Sequence, residues 1–89
     1  MDIYGFKEWL AENTEFKKTT KSNIVSRLKR ADDILPLKEE QIYLFNLSQE
    51  KEFQSLTVSV KSQVRRAIKL YFQYLEWKLG ATNAKSKKD

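Results

Sequence analysis

The sequence predicts an all-α fold, a compact bundle of four to five helices, and three observations carry that prediction. The chain holds two glycines and one proline in 89 residues, too few for the many turns of an all-β protein. Apolar residues recur at helical spacing while 33% of the residues are charged, the pattern of amphipathic helices with short connections. No apolar run approaches the ~18 residues that a membrane span needs. A chain of this size buries only about 60–65% of the surface its unfolded form exposes, so its apolar residues must gather into one cluster.

Helix one is expected over about Asp2 to Asn13. Ile3, Phe6 and Leu10 lie on one helical face, Trp9 widens the stripe, Asp2 caps the start and Asn13 ends it. A polar link, Thr14 to Lys18, carries Phe16 as its one apolar anchor. Thr19 or Thr20 then caps helix two, which reaches about Leu35 with Ile24, Leu28, Ala31 and Leu35 inward. Pro36 forbids continuation.

The middle is less regular. Lys38 to Asn46 reads as a short helix with Ile42 and Phe45 inward. Ser48 reads as the cap of a second short helix, or of the second part of one broken helix, with Glu50 and Glu52 in its first turn and Phe53 and Leu56 as anchors. The last helix starts near Thr57 or Ser59 and ends at Gly80 as a left-handed cap. Val60, Val64, Ala67, Ile68, Tyr71, Leu75 and Leu79 form its inward stripe, broadened by Leu70, Phe72 and Tyr74. The apolar arc covers roughly half of the circumference, so this helix is central. Residues 1–80 are thus expected to form one domain. Residues 81–89 show no hydrophobic periodicity and read as a disordered basic tail.

Composition removes whole classes of chemistry. There is no cysteine and no histidine. Disulfides and thiolate metal sites are excluded, and the commonest general base is missing. The only adjacent carboxylate pairs, Asp32-Asp33 and Glu39-Glu40, fit capping and solubility better than a metal centre. The expectation is a protein that is not an enzyme, with no cofactor, no metal and no small-molecule substrate. The start of the chain lacks a signal-peptide layout, which makes the cytoplasm the expected location.

The net charge of +5 is unevenly spread. Residues 1–31 hold seven Lys/Arg against four Asp/Glu, and residues 32–52 hold two against six. Residues 53–80 hold five against one. Helix two and the last helix are basic and the middle is acidic. In the last helix Arg65, Arg66 and Lys69 fall opposite the apolar stripe, with Lys61 at the edge of that arc. In helix two Arg27, Lys29 and Arg30 share a polar side with Ser22, Asn23 and Ser26, and Lys17, Lys18 and Lys21 gather near its start. Long cations and short polar groups of this kind contact phosphates and base edges.

Two stretches also resemble a known family. Phe6-Lys7-Glu8-Trp9-Leu10 is followed by Lys18-Thr19-Thr20, Ile24 and Leu28; later comes Arg66-Ala67-Ile68-Lys69-Leu70-Tyr71-Phe72-Gln73-Tyr74-Leu75. Together they resemble the N-terminal core-binding domain of tyrosine recombinases, the phage-integrase SAM-like domain. The likeness spans roughly residues 3–79. It implies a four- to five-helix bundle lying on duplex DNA as half of a clamp, the second and last helices facing the DNA. Matched by position, Thr20, Lys21 and Arg27 belong to the second helix's DNA side. Lys61, Arg65, Arg66 and Lys69 belong to the last helix's. The chain departs from the family in having Ile24 where a tyrosine is typical, and it lacks the histidine of the recombinase catalytic set. The four tyrosines read as core or boundary aromatics, and the tryptophans as packing residues with an exposed indole edge, Trp77 the more exposed.

The leading expectation is a non-catalytic module for double-stranded DNA, contacting phosphates through Lys17, Lys18, Thr20, Lys21, Arg27, Lys61, Arg65, Arg66 and Lys69. The alternative is a protein-interaction module, or a regulator pairing with a recombinase or restriction system. Such a module would use the acidic middle or exposed aromatics.

Overall fold

Asp2 begins the first helix by accepting a 3.1 Å hydrogen bond from the Gly5 N–H on its carboxylate, as expected of a capping aspartate. The computed structural model describes the backbone of residues 1–88 and the side chains of residues 1–80. Its helices are α1 (Ile3–Asn13), α2 (Lys18–Ile34), α3 (Glu40–Ser48), α4 (Lys51–Gln54) and α5 (Val58–Lys88). Among the described residues there is no strand, and no helix is long and apolar enough to cross a membrane. The protein is an all-α bundle.

The core is one cluster. α1 supplies Phe6, Trp9 and Leu10; α2 supplies Ile24, Val25, Leu28 and Ala31; α5 supplies Val64, Ala67, Ile68, Tyr71 and Tyr74. Tyr43, Leu47 and Phe53 close it from α3 and α4. α2 and α5 form the main packed pair, and α1 lies across both. Small Ala31 and Ala67, both fully buried, are core residues of these two helices.

An aromatic seam ties α1 to α5. Phe6 meets the rings of Tyr71 and Tyr74 edge-on, with centroids 5.5 and 6.0 Å away. The Tyr74 hydroxyl donates to the Asp2 carboxylate at 2.6 Å, and the Asp2 N–H donates to the Tyr71 hydroxyl at 2.7 Å. The Tyr74 hydrogen bond, with that from Gly5, holds the Asp2 carboxyl below its ordinary range. Burial, then the bond to Asp2, pushes the Tyr74 hydroxyl up to about 12. Burial likewise raises Tyr71 and, with the Asp32 charge, Tyr43.

Several expectations need correction. α2 starts at Lys18 with Lys17 at the cap and no side-chain cap bond, so neither Thr19 nor Thr20 caps it. α3 is rotated from its expected face: Tyr43 and Leu47 are buried, whereas Ile42 and Phe45 are 46% and 67% exposed. The Tyr43 hydroxyl selects this face by donating to the carbonyls of Ala31 and Leu35 at the end of α2. Ser48 ends α3 and does not cap α4, whose cap position is Glu50. Gly80 lies inside α5, and no glycine has a positive φ, so it is not a left-handed cap. Leu79 is exposed, Tyr4 is 84% exposed, and Trp9 is buried with its indole N–H unpartnered. Residues 81–88, expected to belong to a disordered tail, continue the backbone of α5, and residue 89 lies outside the described residues.

Candidate nucleic-acid interface

Buried Ile24, Leu28 and Ala31 fix the rotation of α2. With about 100° per residue, that rotation sends its cations down two opposite flanks. One flank faces α5 and the other faces α1.

On the α5 side, Thr20, Asn23, Ile24 and Arg27 of α2 line a groove of about 220 Å³ with Gln63 and Arg66 of α5. The Arg27 Nε donates to the Gln63 Oε1 at 2.8 Å. Gln63 and Arg66 are one turn apart and so point the same way. The Arg66 guanidinium lies over the Phe16 ring, 5.0 Å from its centroid. Phe16, the expected anchor of the link, is half-buried and braces an arginine. Arg30, one turn beyond Arg27 on the same flank of α2, is exposed.

Arg65 and Lys69 continue the exposed face of α5. Arg65 turns toward α4, with its guanidinium 5.4 Å from the centroid of Phe53. Arg27 and Arg65 therefore edge the outward face of α5 from its α2 and α4 sides. Lys61 is half-buried at the start of this helix.

On the α1 side, Lys18, Lys21 and Lys29 of α2 line a larger groove, about 410 Å³, together with Lys7 of α1. Leu10, Ala11 and Val25 form its floor. The Lys21 ammonium reaches the Ala11 carbonyl at 3.5 Å. Lys29, expected beside Arg27 and Arg30, belongs to this side. Lys17 is exposed at the helix start, in neither groove.

The nine expected contact residues are thus not one patch. Thr20, Arg27 and Arg66 converge; Arg65 and Lys69 extend that surface; Lys18 and Lys21 belong to another. Among the described residues the ion pairs are Met1 ammonium with Asp32 and Lys78 with Asp2, so no carboxylate pairs with any of these cations. No three carboxylates converge among the described residues to hold a metal. Gln63 was not singled out from sequence; its spacing of three from Arg66 is the signal that could have found it. Compared with protein-family models, curated proteins and solved structures, the chain matches none.

Proposed function

We propose that this protein is a non-catalytic, cytoplasmic module that binds duplex DNA through its phosphates, along the groove between α2 and α5. One observation carries the reading: Arg27 and Arg66 converge on a groove that also holds Thr20, Asn23 and Gln63, with no carboxylate among its lining residues. Guanidinium forks, a hydroxyl and amide N–H groups are the donors that a phosphate oxygen accepts from. Gln63 and Phe16 hold the two arginines before any ligand arrives, which lowers the entropy cost of binding. Arg30, Arg65 and Lys69 extend the positive surface beyond the groove.

The resemblance to the core-binding domain of tyrosine recombinases supports the same pair of helices. In that family the second and last helices face DNA, and here α2 and α5 form the arginine groove. A bundle of this SAM-like type, acting in DNA recombination, is part of the proposal. Specificity for sequence is expected to be low, because the groove offers few groups to read base edges.

Fluorescence anisotropy of a labelled duplex against rising salt tests the reading. Five cations at phosphates give a slope of log K against log salt of about −4 to −5. No binding at low salt, or a flat response, removes the proposal.

A further inference from the structure

Two surface features take no part in the DNA reading. One is the lysine groove, a floor of Leu10, Ala11 and Val25 rimmed by Lys7, Lys18, Lys21 and Lys29. No carboxylate lines it, and Lys7, Lys18 and Lys29 have no ion-pair partner among the described residues. The other is the outer face of α3, where Ile42 and Phe45 are 46% and 67% exposed. They are one turn apart and so share a face. Glu39 at the cap of α3 stands beside Ile42, whereas Glu40 in the first turn lies on the side of Tyr43 and Leu47. Glu39, Ile42 and Asn46 line one shallow hollow, with Lys38 as its one cation.

The two features are complementary in shape and sign. One is an apolar floor with a cationic rim, and the other an apolar ridge with the Glu39 carboxylate beside it. The segment 32–52 that bears the ridge has six Asp/Glu against two Lys/Arg. They are separate surfaces of one molecule. The groove follows α2 from Lys18 to Lys29 on its α1 side, while Tyr43 pins the other face of α3 to the carbonyls of Ala31 and Leu35 just past Lys29 and leaves Ile42 and Phe45 turned outward.

We propose that the lysine groove receives the α3 outer face of a second copy of this chain. Phe45 and Ile42 enter over exposed Ala11 and the lysine stems, with buried Leu10 and Val25 beneath, and Glu39 meets the lysine rim. The two surfaces differ, so the contact is heterologous and runs head to tail. Each end of a pair keeps one free groove or one free ridge, and the contact repeats into a row of copies. The arginine groove is on the other flank of α2 and stays open along that row.

Sedimentation velocity on the whole chain without DNA tests this. At low salt the sedimentation coefficient rises with protein concentration, and added salt weakens the association because the rim charges are solvated. Phe45→Ser keeps the groove and loses the ridge; Lys18→Glu with Lys29→Glu keeps the ridge and loses the groove. Each alone weakens self-association by about 10-fold or more. Mixed, they form a one-to-one pair that grows no further. Circular dichroism checks that each variant is folded. Arg27→Ala with Arg66→Ala leaves self-association unchanged while lowering DNA affinity, so this proposal and the DNA reading fail separately. A wild type that stays monomeric at every concentration overturns the proposal. So does association that survives Phe45→Ser, or two variants that do not pair on mixing. A monomer whose groove binds only an unrelated acidic peptide, such as polyglutamate, assigns the groove to another occupant and also overturns it.

Discussion

The two flanks of α2 carry similar charge and hold it differently. On the α5 side, Arg27 is fixed by Gln63 and Arg66 by Phe16. On the α1 side, four lysines rim an apolar floor, and among the described residues only Lys21 has a hydrogen-bond partner, the Ala11 carbonyl. Immobilising a lysine or arginine side chain costs up to about 2 kcal/mol. The arginine flank has met much of that cost on folding, and the lysine flank has not. Arginine also presents a planar fork that suits phosphate, whereas the ammonium is a compact, strongly hydrated charge. The net charge of a helix therefore does not select its binding face. The polar and aromatic neighbours that hold each cation do.

The largest expected effect comes from removing the fixed cations. Arg27→Ala with Arg66→Ala lowers duplex affinity by about 30-fold or more in anisotropy titrations, and the salt slope becomes shallower by about 2. Lys7→Ala with Lys29→Ala removes equal charge from the other flank, lowers affinity less than about 3-fold and leaves the slope unchanged. Equal losses from both pairs would break the comparison.

Gly5→Ala separates stability from binding. A Cβ at Gly5 meets the Tyr74 hydroxyl and the Asp2 carboxylate, where the aromatic seam leaves no room for it. Alanine ordinarily improves a helix by about 1 kcal/mol over glycine. Here the overpacking outweighs that gain, for a net loss of about 1–2 kcal/mol and a fall in Tm of roughly 4–8 °C per kcal/mol by calorimetry. The seam positions α1, a wall of the lysine groove and not of the arginine groove. The folded variant therefore keeps its DNA affinity.

Phe16→Ala releases Arg66 from its stacked position. The cation–π contact is worth about 0.5–1 kcal/mol, so duplex affinity falls about 2- to 5-fold while the salt slope is retained, because the charge remains. This variant isolates the fixing of the arginine from its charge.

The smallest effect is a pH dependence. The Asp2 carboxyl is lowered from 3.8 in the folded protein by the Tyr74 and Gly5 hydrogen bonds. Its charged form therefore stabilises the fold above about pH 4, and that contribution is lost as pH falls through the lower native value. The side chain is 44% exposed, so solvent screens it, and Asp2→Asn costs only about 0.5 kcal/mol at neutral pH. Urea melts of the two proteins converge only once the pH has fallen below the lowered native value of Asp2, where both side chains are neutral.

Much of the bundle was legible because α1, α2 and α5 each place their large apolar residues at one helical spacing, which burial then rewards. α3 was not. Ile42, Tyr43, Leu44, Phe45 and Leu47 surround most of its circumference, so spacing alone does not select a face. The Tyr43 hydroxyl reaching two carbonyls of α2 does. Gly80 misled because glycine ends helices and is also tolerated inside them; a Cβ there would meet nothing within 4 Å. The candidate site was half legible. Periodicity separates inward from outward on α2, so Arg27, Lys29 and Arg30 read as one outward side. It does not say that α5 lies along one edge of that side and α1 along the other. Gln63 and Phe16 acquire their roles only once α2, α5 and the link are packed.

The most direct test is a titration of ¹⁵N-labelled protein with a short duplex, followed by amide and side-chain chemical shifts. The account predicts the largest changes at the side-chain amides of Asn23 and Gln63, the guanidinium signals of Arg27 and Arg66, and the Thr20 backbone. Lys7, Ala11, Ser22 and Ser26 in the lysine groove should move little. Shifts concentrated along α1 and the lysine flank, with the arginine groove unmoved, would contradict it.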